Sequence, residues 1–265
     1  ESPIPAQPRG YRFPKLSPDG RYAVVTVDPR PSDLWIVDLV RGTAERQQTP
    51  VHDGWGVWSP EGNRVGFLMG GSRIGWRAFP FSSEPVPIPY SRTAPVYPKQ
   101  WLVGDLLLGY SEGDVVTLSV SDGSVRRLVA TAATEQEPAV SPDGHWLAYQ
   151  SDASGSNEVY VQPFPDGGGR QTVSTGGGVD PVWAADGTEL YYRRGNSIWA
   201  VPVRTGSQFQ LRGPPDLLFN GPYDFTQTGN WTRGPNGRFL IIKGDPTTTT
   251  RFQVVLNWFE ELRAR

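Results

Sequence analysis

A four-residue turn returns along this chain at near-constant intervals, and no other feature restricts its fold as strongly. It reads Ser17-Pro18-Asp19-Gly20, Ser59-Pro60-Glu61-Gly62 and Ser141-Pro142-Asp143-Gly144. Weaker copies are Ala184-Ala185-Asp186-Gly187 and Gly234-Pro235-Asn236-Gly237, and Leu102-Val103-Gly104-Asp105 keeps only the glycine. The anchor glycines stand at Gly20, Gly62, Gly104, Gly144, Gly187 and Gly237, with gaps of 42, 42, 40, 43 and 50. Pro presets φ at the first corner, Asp bonds nearby backbone, and Gly takes the φ > 0 position. Such a turn joins two antiparallel strands tightly.

The flanks fit this role. Apolar pairs such as Val57-Trp58, Ala139-Val140 and Val182-Trp183 precede the turn. Runs of β-formers such as Tyr22-Ala23-Val24-Val25 and Trp146-Leu147-Ala148-Tyr149 follow it. A third strand comes next, as in Asp33–Val37, Gly75–Phe79, Val115–Leu118, Glu158–Val161 and Ser197–Val201, and a poorer fourth strand closes most units. Four short strands in roughly 40–45 residues make one propeller blade. The expectation is an all-β chain: one domain over residues 1–265, a six-bladed β-propeller of four-stranded antiparallel blades. The last unit lacks its own fourth strand. Ser2-Pro3-Ile4-Pro5-Ala6 resembles the outer strand Val86-Pro87-Ile88-Pro89-Tyr90. Residues 2–7 are therefore expected to supply the outer strand of the last blade, where proline is tolerated at an edge.

Composition narrows the function classes. With 27 acidic against 25 basic residues, the chain lacks the cationic surplus of a nucleic-acid binder. It has no cysteine and two histidines, His52 and His145, which excludes thiolate chemistry and multi-histidine metal sites. Ten tryptophans argue against disorder, while 31 Gly and 26 Pro argue against a helical fold. No apolar stretch is long enough to span a membrane. The start at Glu1 reads as trimmed or processed. The 25 cations are 22 Arg and 3 Lys, a skew that by itself carries no functional conclusion.

The turns, with Trp or an aliphatic residue just before them and a Leu-Trp/Tyr-Val strand later, resemble TolB-type, WD-repeat-like propellers. Glu137–Gly144, Glu158–Pro165, Ser174–Gly178 and Val255–Leu262 resemble, more narrowly, the C-terminal propeller of bacterial serine/threonine protein kinases. That resemblance implies a sensor or interaction module on the far side of a membrane, hence an extracytoplasmic, periplasmic location. The chain itself carries no kinase motif.

Candidate chemistry is sparse. The turn acids are accounted for by turn geometry. The triplets Gly167-Gly168-Gly169 and Gly176-Gly177-Gly178 read as loops, because neither continues into a phosphate-binding motif. No Gly-x-Ser-x-Gly elbow is present. His145 occupies a tolerant slot after a turn glycine, and the sequon Asn230-Trp231-Thr232 falls in an inner strand. In a propeller the innermost strands line a central channel, and the loops feeding them rim one mouth. Those positions hold Tyr11, Arg12, Phe13, His52, Asp53, Trp55, Val96, Tyr97, Glu135, Glu137, Asp180, Asp224 and Asn230, with Lys15 and Lys99 further along the strands. Convergent carboxylates, aromatics and cations are what a polar-ligand site requires.

The first expectation is therefore a non-catalytic recognition propeller, monomeric and without nucleic-acid binding or membrane insertion. It would bind a protein, peptide or envelope-derived ligand at the channel mouth through Trp55, Tyr97, Glu135, Glu137, Asp180 and Asp224. The alternative is a metal-dependent hydrolase or lactonase. There His52 and Asp53 would act catalytically, and Asp53, Glu137 and Asp180 would hold a divalent cation, Ca²⁺ or Mg²⁺ before Zn²⁺.

Overall fold

A computed structural model describes residues 2–3, 10–28, 33–47, 53–70, 72–90, 94–221, 223, 228–243 and 251–255. The described residues form small antiparallel sheets and no helix. The first sheet is Gly10–Leu16, Tyr22–Asp28, Asp33–Asp38 and Thr43–Arg46. The next three begin at the inner strands Asp53–Trp58, Tyr97–Leu102 and Glu135–Val140 and have the same order. The last sheet contains Trp231–Arg233, Phe239–Lys243 and Arg251–Val255. Its outer strand comes from the N-terminus, where Ser2 and Pro3 pair with Val254 and Gln253. The rest of the 2–7 segment lies outside the described residues.

The expectation of six four-stranded blades needs a correction: five sheets have four strands, and the sheet beginning at Val179–Trp183 has five. The cause is the length of its third strand, Ser197–Arg204. Its C-terminal end pairs with Gln210–Leu211, and its N-terminal half pairs with Asp216–Asn220. The sequence reading had a single outer strand there.

Each hydrophobic cluster lies between neighbouring sheets rather than within one. Tyr11, Ala23 and Val25 pack on Leu240 and Ile242 of the last sheet. Val24, Leu34 and Ile36 face the other way, onto Val65 and Phe67. The same relation continues through Leu68 with Leu107, Leu108 with Leu147, and Val161 with Leu190. It ends with Tyr191 and Ile198 on Trp231 and Phe239, so the series returns to its start as a ring. Successive residues of a strand point to opposite faces. Because both faces are covered, the second strands carry runs of consecutive apolar residues, as in Ala23–Val25, Leu106–Leu108 and Leu190–Tyr192, rather than strict alternation. Indole N–H groups tie neighbours together: Trp58 Nε1 donates to the Lys15 carbonyl at 3.1 Å and Trp183 Nε1 to the Ala139 carbonyl at 3.0 Å.

The turns behave as their composition requires. Ser17 Oγ donates to Asp19 Oδ1 at 2.5 Å, and the amides of Arg21 and Tyr22 donate to Asp19 Oδ1 and Ser17 Oγ. Ser141, Asp143, His145 and Trp146 repeat the arrangement. The hydrogen bond from Ser17 holds the Asp19 carboxyl below its ordinary range.

Candidate functional site

The site begins with an irregularity shared by the inner strands. Pairing to the second strand slips between Arg12 and Lys15, Gly54 and Val57, Pro98 and Gln100, Gln136 and Ala139, and Val179 and Val182. Such bulges re-aim side chains. Four of them contain a non-glycine residue with left-handed backbone: Phe13 at φ 52°, Trp55 at 53°, Glu137 at 51° and Asp180 at 56°. Each stands seven residues before its anchor glycine, and Tyr97 and Asn230 hold the same place in the other two repeats.

These side chains meet around the axis. The Phe13 and Trp55 rings stack at 4.6 Å, Trp55 and Tyr97 lie at 5.2 Å, and Tyr97 stacks on Tyr110 at 5.1 Å. The opposite side is polar. Lys99 Nζ lies 2.7 Å from Glu137 Oε1, with both side chains buried. Arg193 Nε lies 3.0 Å from Asp180 Oδ2. The Lys99 ammonium also sits over the Phe13 ring at 5.6 Å and the Tyr110 ring at 5.3 Å. Burial, and next the Glu137 charge, push the Tyr110 hydroxyl far up, so it stays a donor. Burial, and next Glu137, raise Asp180 from 3.8 to about 6, against the opposing pull of Arg193.

Thr228, Gly229 and Asn230 run across the axis. Thr228 Oγ1 donates to Glu137 Oε1 at 3.1 Å, and the Gly229 amide donates to Asp180 Oδ1 at 2.9 Å. The Phe13 amide donates to Asn230 Oδ1 at 3.3 Å. A Cβ on Gly229 would lie 3.4–3.6 Å from Phe13, Glu137 and Lys99, so this backbone sits among residues of three different sheets. Its φ of +77° is one that glycine adopts freely. Gly229 lies at the floor of a cavity of about 810 Å³ on the side of the Ser-Pro-Asp-Gly turns. Lys15, Lys99, Glu137 and Asp180 lie at that floor. Val57, Trp58, Leu102 and Trp183 form walls, and Pro18, Pro60 and Pro142 line the rim.

The structure brings Trp55, Tyr97, Glu137 and Asp180 together, as the feeding-loop alignment expects. It leaves Glu135 out. That carboxylate is fully buried and accepts hydrogen bonds from Thr131 Oγ1, the Thr131 amide and Ser151 Oγ, so it holds a loop of its own blade. Asp53 begins an inner strand, but its side chain, His52 and Asp224 lie outside the described residues. The cavity also opens at the turn side, whereas the sequence reading put the site at the feeding loops. Arg193, Tyr110, Thr228 and Gly229 escaped the sequence reading, which had placed Asn230 at the rim. The one available signal was the register of Lys15 and Lys99, each five residues before its glycine.

Among the described residues no group of three or more His, Asp or Glu is arranged to hold a metal ion. Glu137 and Asp180, two of the three candidate ligands, are each engaged by a cation.

No family model matches the chain. Solved structures do. A TolB candidate from Agrobacterium tumefaciens aligns with a TM-score of 0.65 at 16% identity over 95% of this chain and 92% of that one. TolB from Acinetobacter baumannii aligns at 0.61 and 14%, over 92% of this chain and 63% of its own. An oligogalacturonate lyase solved with manganese aligns at 0.63 and 14%, over 96% and 76%. Likeness at this identity carries the fold alone. The chain is a β-propeller with the fold of TolB-type proteins. Among the described residues no helix is long and apolar enough to cross a membrane.

Proposed function

We propose that this chain is a non-catalytic recognition propeller, a single domain that accepts a peptide or protein segment in the cavity on its turn side. The observation that carries the reading is a cup with hydrocarbon walls, a charged floor and a backbone segment closing the axis beneath it. A site of this size with a few fixed polar groups suits ligand capture. Its two carboxylates are taken up by Lys99, Arg193, the Thr228 hydroxyl and the Gly229 amide rather than left free to react, which favours binding over catalysis. The TolB-type fold supports a protein-binding role and, with it, an extracytoplasmic location. Attachment to a kinase rests on the sequence strings alone.

The test narrows the cup. Ala139→Phe projects a ring from a wall residue and is expected to abolish capture of a binding peptide while the melting temperature stays near the parent's. Leu217→Asp, on an exposed outer strand, is expected to leave capture intact. Equal loss in both variants, or in neither, overturns the cavity as the site.

A second reading, a metal-dependent hydrolase or lactonase using Asp53, Glu137, Asp180 and His52, draws support from the likeness to the manganese-bound lyase. To reach Glu137 and Asp180 a cation would have to displace Lys99 and Arg193. Elemental analysis and thermal shifts with Mn²⁺, Ca²⁺, Mg²⁺ and Zn²⁺ separate the two readings. Co-purified metal, or stabilisation by several degrees, would favour the enzyme.

A further inference from the structure

Arginine serves as the cation at 22 of 25 positions in this chain, and lysine at three: Lys15, Lys99 and Lys243. Two of those three line the same cavity. They occupy the same register in the first and third repeats, so the bulged strands deliver both ammonium groups to the floor. Their circumstances differ. Lys99 is neutralised by Glu137 at 2.7 Å, and Arg193 by Asp180 at 3.0 Å. Lys15 has no carboxylate within ion-pair distance among the described residues, although its half-buried side chain lines the same floor.

We infer that Lys15 is the anion anchor of the cavity, and that the captured peptide presents a carboxylate to it while apolar side chains occupy the walls. The inference rests on the recognition reading above and names the ligand's chemistry. Charge supports it. With both floor acids paired, the Lys15 ammonium has no partner acid in an enclosed, partly desolvated space, whereas Arg233, another cation lining the cavity, sits over the Tyr191 and Phe239 rings. Burial, and then repulsion from Lys99, lower its pKa from 10.5 to about 8, against the weaker pull of Glu137 and Asp180. A bound carboxylate would supply the missing partner and restore the proton's hold. The walls choose the rest of the ligand. Val57, Trp58, Leu102 and Trp183 offer hydrocarbon and few free polar groups. That suits an acidic residue flanked by apolar ones better than a hydroxyl-rich uronate chain, which needs hydrogen-bonding side chains. The choice of lysine over arginine also fits, because an ammonium loses its proton in this pH range and a guanidinium does not.

With only three lysines, selective ¹³C labelling of their side chains yields signals that single substitutions assign. The probes are acetylated pentapeptide amides with apolar flanks and a central Glu, their Gln twins, and digalacturonate. The Glu peptides are expected to bind at least tenfold tighter than the Gln twins at pH 6.5, to raise the Lys15 titration midpoint, and to leave Lys243 unmoved. The advantage should shrink as pH rises through 8, because the anchor then loses its charge. Lys15→Met should abolish the advantage, so that the Glu peptides and their Gln twins bind alike. Lys15→Arg should keep the advantage at pH 9.5, where the parent has lost most of it. Equal binding of Glu and Gln peptides in the cavity overturns the anchor and leaves the recognition reading standing. Digalacturonate binding at Lys15 with no peptide binding overturns the peptide. No perturbation of Lys15 or Lys99 by any probe overturns both readings.

Discussion

Asp180→Asn should stabilise the protein at pH 8, although it removes one half of a buried ion pair. Two effects oppose each other. Breaking a buried pair strands the partner charge, here Arg193, which commonly costs about 3–5 kcal/mol. Against this, the ionised Asp180 is buried and faces Glu137 as well as Arg193, with Lys99 and Lys15 nearby. Its pKa of about 6 is what remains after the Arg193 attraction has acted, so the neutral form is the one this site prefers. The sign follows from linkage. The folded state keeps a proton that the unfolded chain releases near 3.8, so stability falls as pH rises through 4 to 6, and the deficit is complete above that window. Two pKa units correspond to about 3 kcal/mol at most. Asn mimics the protonated acid, accepts the Gly229 amide, and tolerates the left-handed backbone at φ 56°. Thermal denaturation from pH 4 to 8 should show parent and variant coinciding near pH 4 and diverging to about 5–10 °C in favour of the variant at pH 8. A variant less stable than the parent at pH 8, or a gap that does not change with pH, would refute the reasoning.

Other outcomes follow from the same geometry. Trp183→Phe keeps the ring but removes the donor to the Ala139 carbonyl, and should lower stability by about 1 kcal/mol in denaturant titration. Asp143→Ala strips acceptors from Ser141 Oγ and from the amides of His145 and Gly206. It should cost about 1–2 kcal/mol, whereas exposed acids such as Glu112 should tolerate Ala. Deleting residues 1–8 removes the Ser2–Pro3 pairing and leaves Arg251–Val255 as an open edge. A clear fall in melting temperature and a rise in aggregation on heating are expected, and an unchanged melting curve would show that this pairing contributes nothing to the ring.

The parts of this fold that were legible in the sequence are those whose chemistry is local. Ser17, Asp19 and Gly20 bond within their own turn, so the string alone betrays the hairpin, and regular spacing betrays the ring. The extra strand Gln210–Leu211 was not legible. It exists because Ser197–Arg204 runs past its neighbours, and a two-residue polar-apolar pair carries no period of its own. The candidate site was half legible. Position before the anchor glycine grouped Trp55, Tyr97, Glu137 and Asp180, but it grouped Glu135 with them, and the bulge between Gln136 and Ala139 could not be read from the string. Lys99 and Glu137 pair across blades, and so do Asp180 and Gly229. Such long-range partners leave no trace in spacing. Which end of the channel holds the cup was hidden as well, because nothing in the spacing shows that Gly229 meets Phe13, Lys99 and Glu137 of three other sheets.

The left-handed residues of the bulges separate the two roles that an axial ring can have. Each costs on the order of 1–2 kcal/mol relative to glycine at the same φ. Were the ring only a spacer, Gly or Asn would relieve that strain at each of these positions. Instead Phe13, Trp55 and Glu137 are held in the strained form. For Phe13 and Trp55, ring stacking at 4.6 Å, with Phe13 buried beneath the Lys99 ammonium and Trp55 also against Tyr97, accounts for the choice, since aromatic packing outweighs a strain of this size. Glu137 has no such packing return. It holds Lys99 and the Thr228 hydroxyl, and in doing so leaves Lys15 as the cation without an acid. Glu137→Gly should therefore recover backbone strain yet destabilise the floor, since Lys99 is left buried and unpaired. It should also strengthen the Glu-over-Gln peptide preference, because a second free ammonium then faces the ligand's carboxylate. A Glu137→Gly protein as stable as the parent, with the peptide preference unchanged, would mean that the charged floor is mere filling.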